Sequence, residues 1–200
     1  MLRSLLFVVV VLLVSSLWIP STSDSLVMEN QGIHEVFMEK KPKSLESLFP
    51  TEIVVNEYAD VQNLSRVTEE SLNQLLDGKL SNKGRVFIEA GREYGIDPAF
   101  LVAVSIHETG NGKSEAILYK NNVGGMMKRT GGLMSFHSVD QSIYRLARVL
   151  RDIYVQNERD TPVEIQQLYA PINAANDPNN LNKHWLTKVV ENWRLARTKA

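Results

Sequence analysis

The chain of 200 residues contains no cysteine. Disulfide bonds, thiolate metal sites and a lipid-modified cysteine are therefore excluded. A folded domain in this chain has to obtain its stability from apolar packing. Because 44% of the residues are hydrophobic, an ordinary globular core can form.

An excess of charge of either sign is also missing. The 22 Lys+Arg residues nearly balance the 23 Asp+Glu residues, and the formal net charge is -1. Bulk affinity for nucleic acid requires a strong basic excess. We therefore expect no nucleic-acid partner.

Several catalytic signatures are absent from the sequence. The zinc motif H-E-x-x-H would need a histidine at the position of Asn111, and His137 and His184 lack partners at ligand spacing. The chain has no G-x-x-x-x-G-K-[ST] phosphate loop and no G-x-S-x-G serine nucleophile. We expect neither a metal ion nor an organic cofactor.

The first residues have the pattern of an export signal. Arg3 precedes an apolar run over residues 5–18, and small and polar residues follow at 20–23. This pattern predicts that residues 1–23 are a secretory signal peptide. The absence of an A-x-A cleavage site leaves an uncleaved N-terminal membrane anchor as the alternative. Either segment predicts export, so the protein would be secreted or anchored at the cell surface or cell wall.

The remaining chain divides into two parts. Residues 24–64 show no sustained hydrophobic period, which predicts a stalk or linker. Residues 65–200 contain a succession of helix signals and predict one domain. Within that domain, residues 110–137 are rich in glycine and interrupt the helical pattern, with a small hairpin at 130–132. We predict a mostly α-helical domain with a small glycine-rich irregular or β lobe.

One predicted helix ends at a notable acid. Asp97 and Pro98 provide an N-cap and a first-turn proline, and the helix that they begin is apolar on most sides until Glu108. Burial and the negative end of the helix dipole would both raise the pKa of Glu108. A carboxylic acid that stays protonated near neutral pH suits glycosidic cleavage. From the helical period alone, a glutamate that points to solvent is the simpler interpretation.

Four segments carry a family resemblance. Residues 106–114 read I-H-E-T-G-N-G-K-S, residues 121–126 read N-N-V-G-G-M, residues 136–143 read F-H-S-V-D-Q-S-I, and Y-A-P begins at Tyr169 with D-P further on. They resemble, in order, the E-T-G-x-G-x-S, N-N-h-F-G-h, F-x-S-x-x-x-S-h and Y-A-T-D-P segments of bacterial cell-wall glucosaminidases. The resemblance runs from about residue 65 to residue 193.

The resemblance implies a fold, a reaction and a set of residues. The fold would be lysozyme-like, and the partner would be the glycan strand of peptidoglycan. Glu108 would be the general acid, and Tyr169 would line the reaction centre. The implied substrate-binding residues are Ser114, Asn121, Asn122 and Gly124.

The chain departs from the family pattern in two places. Asn111 stands at a position that is usually aromatic, so one stacking or packing contact is lost. Glu115 is the only further acid in the lobe, and its place at the start of a helix explains it without a catalytic role. The water-activating group stays open between the substrate's N-acetyl group and Tyr169 with a water. Asp140 is a weaker candidate, because the first turn of a helix accounts for it.

Three functions fit these features. The first is hydrolysis of the β-1,4 bond after N-acetylglucosamine in cell-wall glycan. The second is a lytic transglycosylase on the same fold, which the missing second acid suits. The third is a non-catalytic glycan-binding or scaffold protein.

Three aromatic residues are predicted to belong to the core rather than to act as sugar-stacking platforms: Tyr154, Trp185 and Trp193.

Overall fold

The structure is a computed structural model that describes residues 54–175 and 177–199. The predicted signal or anchor, the boundary after residue 23, and the stalk as far as residue 53 lie outside the described residues. Seven α-helices occur in the described part: α1 Glu69–Asn73, α2 Gly84–Tyr94, α3 Pro98–Thr109, α4 Glu115–Lys120, α5 Val139–Val149, α6 Pro162–Tyr169 and α7 Trp185–Thr198. Within the same ranges, none of the helices combines the length and apolar character needed to span a membrane.

Helix α3 forms the centre of the domain. The Asp97 side chain caps it by accepting from the Ala99 backbone N–H, and Pro98 occupies the first turn. Gly110 ends it in the left-handed conformation, with φ of 53°. The helix is buried from Pro98 through Ser105, as the apolar pattern on most of its sides predicts.

The other long helices pack around α3. Helix α7 makes its most extensive contact, and α2 and α5 pack on α3 and on each other. The rings of Phe100 and Trp193 meet edge to face across the α3–α7 contact, 5.1 Å apart. Both side chains are fully buried, as the sequence predicts for Trp193.

Asp97 also joins distant parts of the chain. Its buried carboxylate accepts hydrogen bonds from the Ser65 backbone N–H and hydroxyl, from Trp193 Nε1 at 2.6 Å, and from Arg197 Nη1 at 2.9 Å. A buried charge is tolerated when it is paired and fully hydrogen-bonded. The start of the domain, the start of α3 and the end of α7 therefore meet at one carboxylate.

Residues 54–64, which the sequence assigns to the stalk, pack on this domain. Val61 is fully buried, and its carbonyl accepts from the Asp97 backbone N–H at 2.7 Å. Arg194 Nε donates to the Val55 carbonyl at 2.6 Å. The folded unit thus begins before residue 65, since these contacts join the segment to α3 and α7.

The glycine-rich lobe contains more regular structure than its sequence shows. Helix α4 lies inside residues 110–137, but six residues are too few to display a helical period. The predicted hairpin is present, with an antiparallel bridge between Met127 and Leu133. After the lobe, α5 continues through a π-helical turn, Leu150–Tyr154.

Candidate active site

Glu108 lies in the last turn of α3, where the chain enters the lobe. The turn after it is fixed by Thr109, whose hydroxyl donates to the Ser105 carbonyl and accepts from the Gly112 backbone N–H at 2.8 Å. Gly110 and Asn111 both adopt positive φ, which reverses the chain within two residues. Glu108 is consequently held at the boundary between the helical core and the lobe.

The two oxygens of the Glu108 carboxyl group have different surroundings. Trp185 Nε1 donates a hydrogen bond to Oε1 at 3.0 Å. Oε2 faces the backbone of Gly125, where an added Cβ would lie only 2.8 Å from it. Gly125 has φ of 59°, so the absence of a side chain permits both its conformation and this close approach.

These surroundings change the acidity of Glu108. Burial raises the pKa of Glu108 from its ordinary 4.5 to about 6, and the hydrogen bond from Trp185 acts in the opposite direction. Glu108 as a whole is half-buried, and its carboxyl group is held between the indole of Trp185 and the backbone of Gly125. The solvent-pointing alternative is therefore not what the structure has.

Aromatic rings form one wall beside this carboxyl group. The Tyr169 ring lies 5.4 Å from the Trp185 ring and 6.0 Å from the Tyr154 ring, in tilted arrangements. Burial, followed by the charges of Glu108 and Tyr154, raises the pKa of Tyr169 well above 10. Its phenol is thus protonated at neutral pH and donates to the Gly124 carbonyl at 2.6 Å.

Asn122 organises the lobe from within. Its side chain is fully buried, and its Nδ2 donates to the Met126 and Met134 carbonyls at 2.9 and 3.0 Å. Its Oδ1 accepts from the Met126 and Gly124 backbone N–H groups. All its hydrogen-bonding positions are occupied inside the protein, so its side chain shapes the lobe but offers no polar group to a sugar.

Asn121 has a comparable internal role. It ends α4 in the left-handed conformation, its Oδ1 accepts from Lys79 Nζ at 3.1 Å, and its Nδ2 donates to the Phe136 carbonyl at 2.9 Å. Ser114 is the N-cap residue of α4, and its hydroxyl is buried without a partner in the structure. Neither side chain is directed at Glu108 by these contacts.

A third departure from the family pattern, beyond the two named from the sequence, lies at Gly124, which stands at the aromatic position of N-N-h-F-G-h. A Cβ there would lie 2.8 Å from Leu146 Cδ1 and 3.2 Å from the Tyr169 hydroxyl oxygen. Leu146 and Tyr169 thus occupy the space beside this backbone. Gly124 and Gly125 allow the lobe to approach Tyr169 and Glu108 closely. Of the site residues predicted from the sequence, Glu108, Tyr169 and Gly124 thus lie together.

Asn111 has a structural role in place of the predicted lost contact. Its Nδ2 donates to the Leu75 carbonyl at 2.8 Å, and its Oδ1 accepts from the Asp77 backbone N–H at 3.0 Å. Asparagine is among the few residues that adopt positive φ readily. The turn after Glu108 is thereby fastened to the segment that follows α1.

The other acids singled out in the sequence lie elsewhere. Glu115 is exposed in the first turn of α4, as its sequence position suggests. Asp140 forms a 2.5 Å ion pair with Lys83. Across residues 54–175 and 177–199, no three His, Asp or Glu side chains converge on a common metal position.

Trp185 is the site residue that sequence reasoning missed. It is buried, as predicted for a core residue, yet it also contacts the acid directly. The pattern places Trp185 and Trp193 on one face of α7 but does not reveal which of their N–H groups meets Glu108. Glu108 and Trp185 are 77 positions apart in the sequence, which leaves no local signal for this contact.

Comparison with known proteins assigns the family. The family profile of mannosyl-glycoprotein endo-beta-N-acetylglucosaminidase, the glucosaminidase family, matches residues 84–194. Since this match covers more than half of the chain, the chain belongs to the glucosaminidase family. The resemblance described from the sequence motifs is confirmed.

Individual relatives are autolysins. A segment of 51 residues is 41% identical to the bifunctional autolysin of Staphylococcus epidermidis, covering 24% of this chain and 4% of that protein. The matched segment therefore spans a small fraction of the relative's length.

Solved structures show the fold. Autolysin E of S. aureus with the muropeptide NAM-L-Ala-D-iGlu is 25% identical, with a TM-score of 0.57 over 74% of each chain. A catalytic mutant of autolysin E with the disaccharide NAG-NAM is 24% identical, with a TM-score of 0.58 over 74% of each chain. The predicted mostly α-helical, lysozyme-like fold is confirmed.

Proposed function

We propose that the protein is a peptidoglycan hydrolase that cleaves the β-1,4 bond after N-acetylglucosamine, with Glu108 as the general acid. Membership of the glucosaminidase family supports the reaction class. The autolysin relatives, one of them bound to NAG-NAM, support cell-wall glycan as the substrate. The observation that carries the proposal is the Glu108 carboxyl group, enclosed at the end of α3 with a pKa of about 6.

The chemistry follows from that acidity. Below about pH 6 the Glu108 carboxyl group holds a proton that it can deliver to the leaving glycosidic oxygen. The glycine backbone beside Oε2 removes side-chain bulk where the glycan would approach. Between about pH 5 and pH 6, a glutamate with the ordinary pKa of 4.5 would be mostly ionised and unable to donate.

The group that assists attack on the sugar is a separate question. In the described part of the chain, no second carboxylate contributes to the pKa shift of Glu108. Tyr169 is a poor base because its pKa lies well above 10, and its phenol donates to the Gly124 carbonyl. We therefore assign attack on the anomeric carbon to the carbonyl oxygen of the substrate's own N-acetyl group, while the glycosidic bond breaks and Glu108 protonates the leaving oxygen. Water then opens the resulting oxazolinium ring to give the reducing end, and Tyr169 holds the lobe beside Glu108 throughout.

The place of action is part of the proposal. The apolar run at residues 5–18 supports export, followed by secretion or by retention through an N-terminal anchor. The autolysin relatives support the cell wall as the destination. Detection of the protein in the wall or membrane fraction, against a variant lacking residues 1–23, tests this placement.

Product analysis tests the reaction. Wild type, Glu108→Gln and the matched control Glu115→Gln are incubated with purified peptidoglycan, and the released fragments are identified by mass spectrometry. We expect reducing N-acetylglucosamine ends from wild type and Glu115→Gln, and none from Glu108→Gln. Reducing N-acetylmuramic acid ends alone would instead show muramidase action, and fragments from Glu108→Gln at the wild-type rate would exclude Glu108 as the acid.

The lytic transglycosylase remains the second candidate. Within residues 54–175 and 177–199, no second carboxylate acts on Glu108, which favours this reaction because it needs no group to activate a water. The 6-hydroxyl of muramic acid attacks in place of water. The product is a 1,6-anhydro end, which is lighter by one water than the hydrolytic product. The same mass spectra therefore distinguish it. A wild type that releases no fragments, while Glu108→Gln binds glycan equally well, would indicate a binding or scaffold protein.

A further inference from the structure

The hydrogen bond between Trp185 and Glu108 joins the first residue of α7 to the last turn of α3. Trp185 Nε1 donates to Oε1 at 3.0 Å. Only 1% of Trp185 is exposed, and its ring lies 5.4 Å from Tyr169. The indole is thus held by packing on several sides, so the direction of its N–H group is fixed before any substrate arrives.

The indole N–H constrains which oxygen can carry a proton. Tryptophan is a hydrogen-bond donor only. In a neutral carboxyl group the carbonyl oxygen is a stronger acceptor than the hydroxyl oxygen, so the N–H of Trp185 favours Oε1 as the carbonyl oxygen. The proton of the neutral acid consequently resides on Oε2, the oxygen beside the bare backbone of Gly125.

We propose that Trp185 is a positioning residue that holds Glu108 through Oε1, so that Oε2 is the oxygen that delivers the proton to substrate. This inference rests on the proposed role of Glu108 as the general acid. Trp185 touches neither the scissile bond nor the sugar in this scheme, and it acts through the carboxyl group alone. After proton transfer the same N–H stabilises the carboxylate, because hydrogen bonds to charged acceptors are the stronger ones.

The effects of other titratable groups near this contact have to be distinguished from the titration of Glu108. Tyr169, from α6, is neutral throughout the relevant range because its pKa lies well above 10. His107 precedes Glu108, and burial, then the charges of His184 and Lys188, lower the pKa of His107. His184 directly precedes Trp185. Both histidines are titratable groups close to this contact, and the Glu108→Gln variant separates their effect from that of Glu108.

A spectroscopic titration tests the contact without relying on catalysis. The indole N–H signal of Trp185 is followed by nitrogen-15 NMR against pH in wild type and in Glu108→Gln. We expect a shift with a midpoint near pH 6 in wild type, and its loss in Glu108→Gln. A signal that does not move, or moves alike in both proteins because the histidines cause it, would overturn the inference.

A kinetic comparison tests the positioning role. Trp185→Phe keeps an aromatic ring but removes the N–H that donates to Glu108. Trp193→Phe is the control, because Trp193 lies on the same helix, α7, but its N–H donates to Asp97. We expect Trp185→Phe to move the alkaline limb of the pH–rate profile up by about half to one pH unit and to lower kcat about tenfold, with little change in KM. Trp193→Phe should leave the limb in place.

The outcomes separate this inference from the proposed function. A Trp185→Phe profile with the same alkaline limb as wild type would overturn the positioning role while leaving Glu108 as the acid. If wild type does not turn over peptidoglycan at all, the proposed function fails, and the indole titration alone decides whether Trp185 controls the Glu108 carboxyl group.

Discussion

At Glu108, two opposing influences act on one carboxyl group. Burial disfavours the charged form, and the N–H of Trp185 favours it. The sequence places Glu108 at the end of a buried helix, from which the direction of the pKa shift could be predicted. The moderating contact with Trp185 could not be predicted, because it depends on how α7 packs against α3.

The raised pKa of Glu108 affects folding stability. The folded-state pKa of about 6 lies above the ordinary value of 4.5, so folding favours the protonated form, and the corresponding stability is lost as the pH rises from about 4.5 through about 6. Glutamine cannot ionise. Relative to wild type, Glu108→Gln should therefore be more stable at about pH 8 than at about pH 4, by up to about 2 kcal/mol. Urea denaturation at both values measures this difference.

Glu115→Gln is the control for that measurement. Glu115 is exposed at the start of α4, so its substitution should change the free energy of unfolding by a similar small amount at both pH values. An equal effect of Glu108→Gln at the two pH values would show that the pKa of Glu108 is not raised by folding.

Tyr169 and Tyr154 provide a matched pair of phenols. Tyr169→Phe removes the hydrogen bond to the Gly124 carbonyl, which should destabilise the protein by about 1 kcal/mol and lower peptidoglycan turnover several-fold as the lobe loosens beside Glu108. Tyr154→Phe keeps the buried ring next to Tyr169 and should leave turnover near wild type. Equal turnover in the two variants would contradict a specific role of the Tyr169 hydroxyl.

Among the structural elements, the lobe shows where motif and geometry differ. The family motif marks Asn121 and Asn122 as substrate-binding residues, but their side chains bond to the lobe's own backbone. The motif therefore marks these two positions but does not show which atoms their side chains contact. The boundaries of α3 were predictable, since its cap, its first-turn proline and its terminal glycine are local signals.

Gly125 tests the approach of the lobe to the acid. Gly125→Ala would place a Cβ 2.8 Å from Glu108 Oε2 at a φ of 59°, so the carboxyl group has to move. Gly131→Ala is the control, because φ is 90° there but nothing lies within 4 Å of the added Cβ. Both variants should lose about 1–2 kcal/mol from backbone strain.

Only Gly125→Ala should lose most of its turnover of peptidoglycan. The two variants are compared by urea denaturation and by the rate of fragment release. Retention of wild-type turnover in Gly125→Ala would mean that the position of Oε2 is unimportant for the reaction.

Over the whole molecule, contacts between distant residues define the domain. Asp97 meets residues from both ends of the described chain, and Val61 enters the core although its segment carries no hydrophobic period. A few isolated apolar residues are enough to attach a segment to a domain when the rest of the fold supplies the apolar surface on which they pack. This is why the sequence could predict the helical domain but assigned residues 54–64 to a stalk.

Two valines in that segment test its part in the fold. Val61 is fully buried and Val54 is 75% exposed. Val61→Ala should lower the free energy of unfolding by about 2 kcal/mol, because it removes buried methyl groups and leaves a cavity. Val54→Ala should change it by less than about 0.5 kcal/mol. Equal effects in thermal or urea denaturation would mean that the segment does not belong to the folded unit.

The ionisation of Glu108, measured together with the pH dependence of turnover, tests the central claim most directly. Carbon-13 NMR of the glutamate carboxyl groups is recorded against pH in wild type and Glu108→Gln, and the pH–rate profile is measured on peptidoglycan. The account predicts one carboxyl group with a pKa of about 6, absent from Glu108→Gln, and loss of activity above the same pH. A Glu108 pKa near 4.5, or activity that stays constant through pH 6 and above, would contradict Glu108 as the general acid.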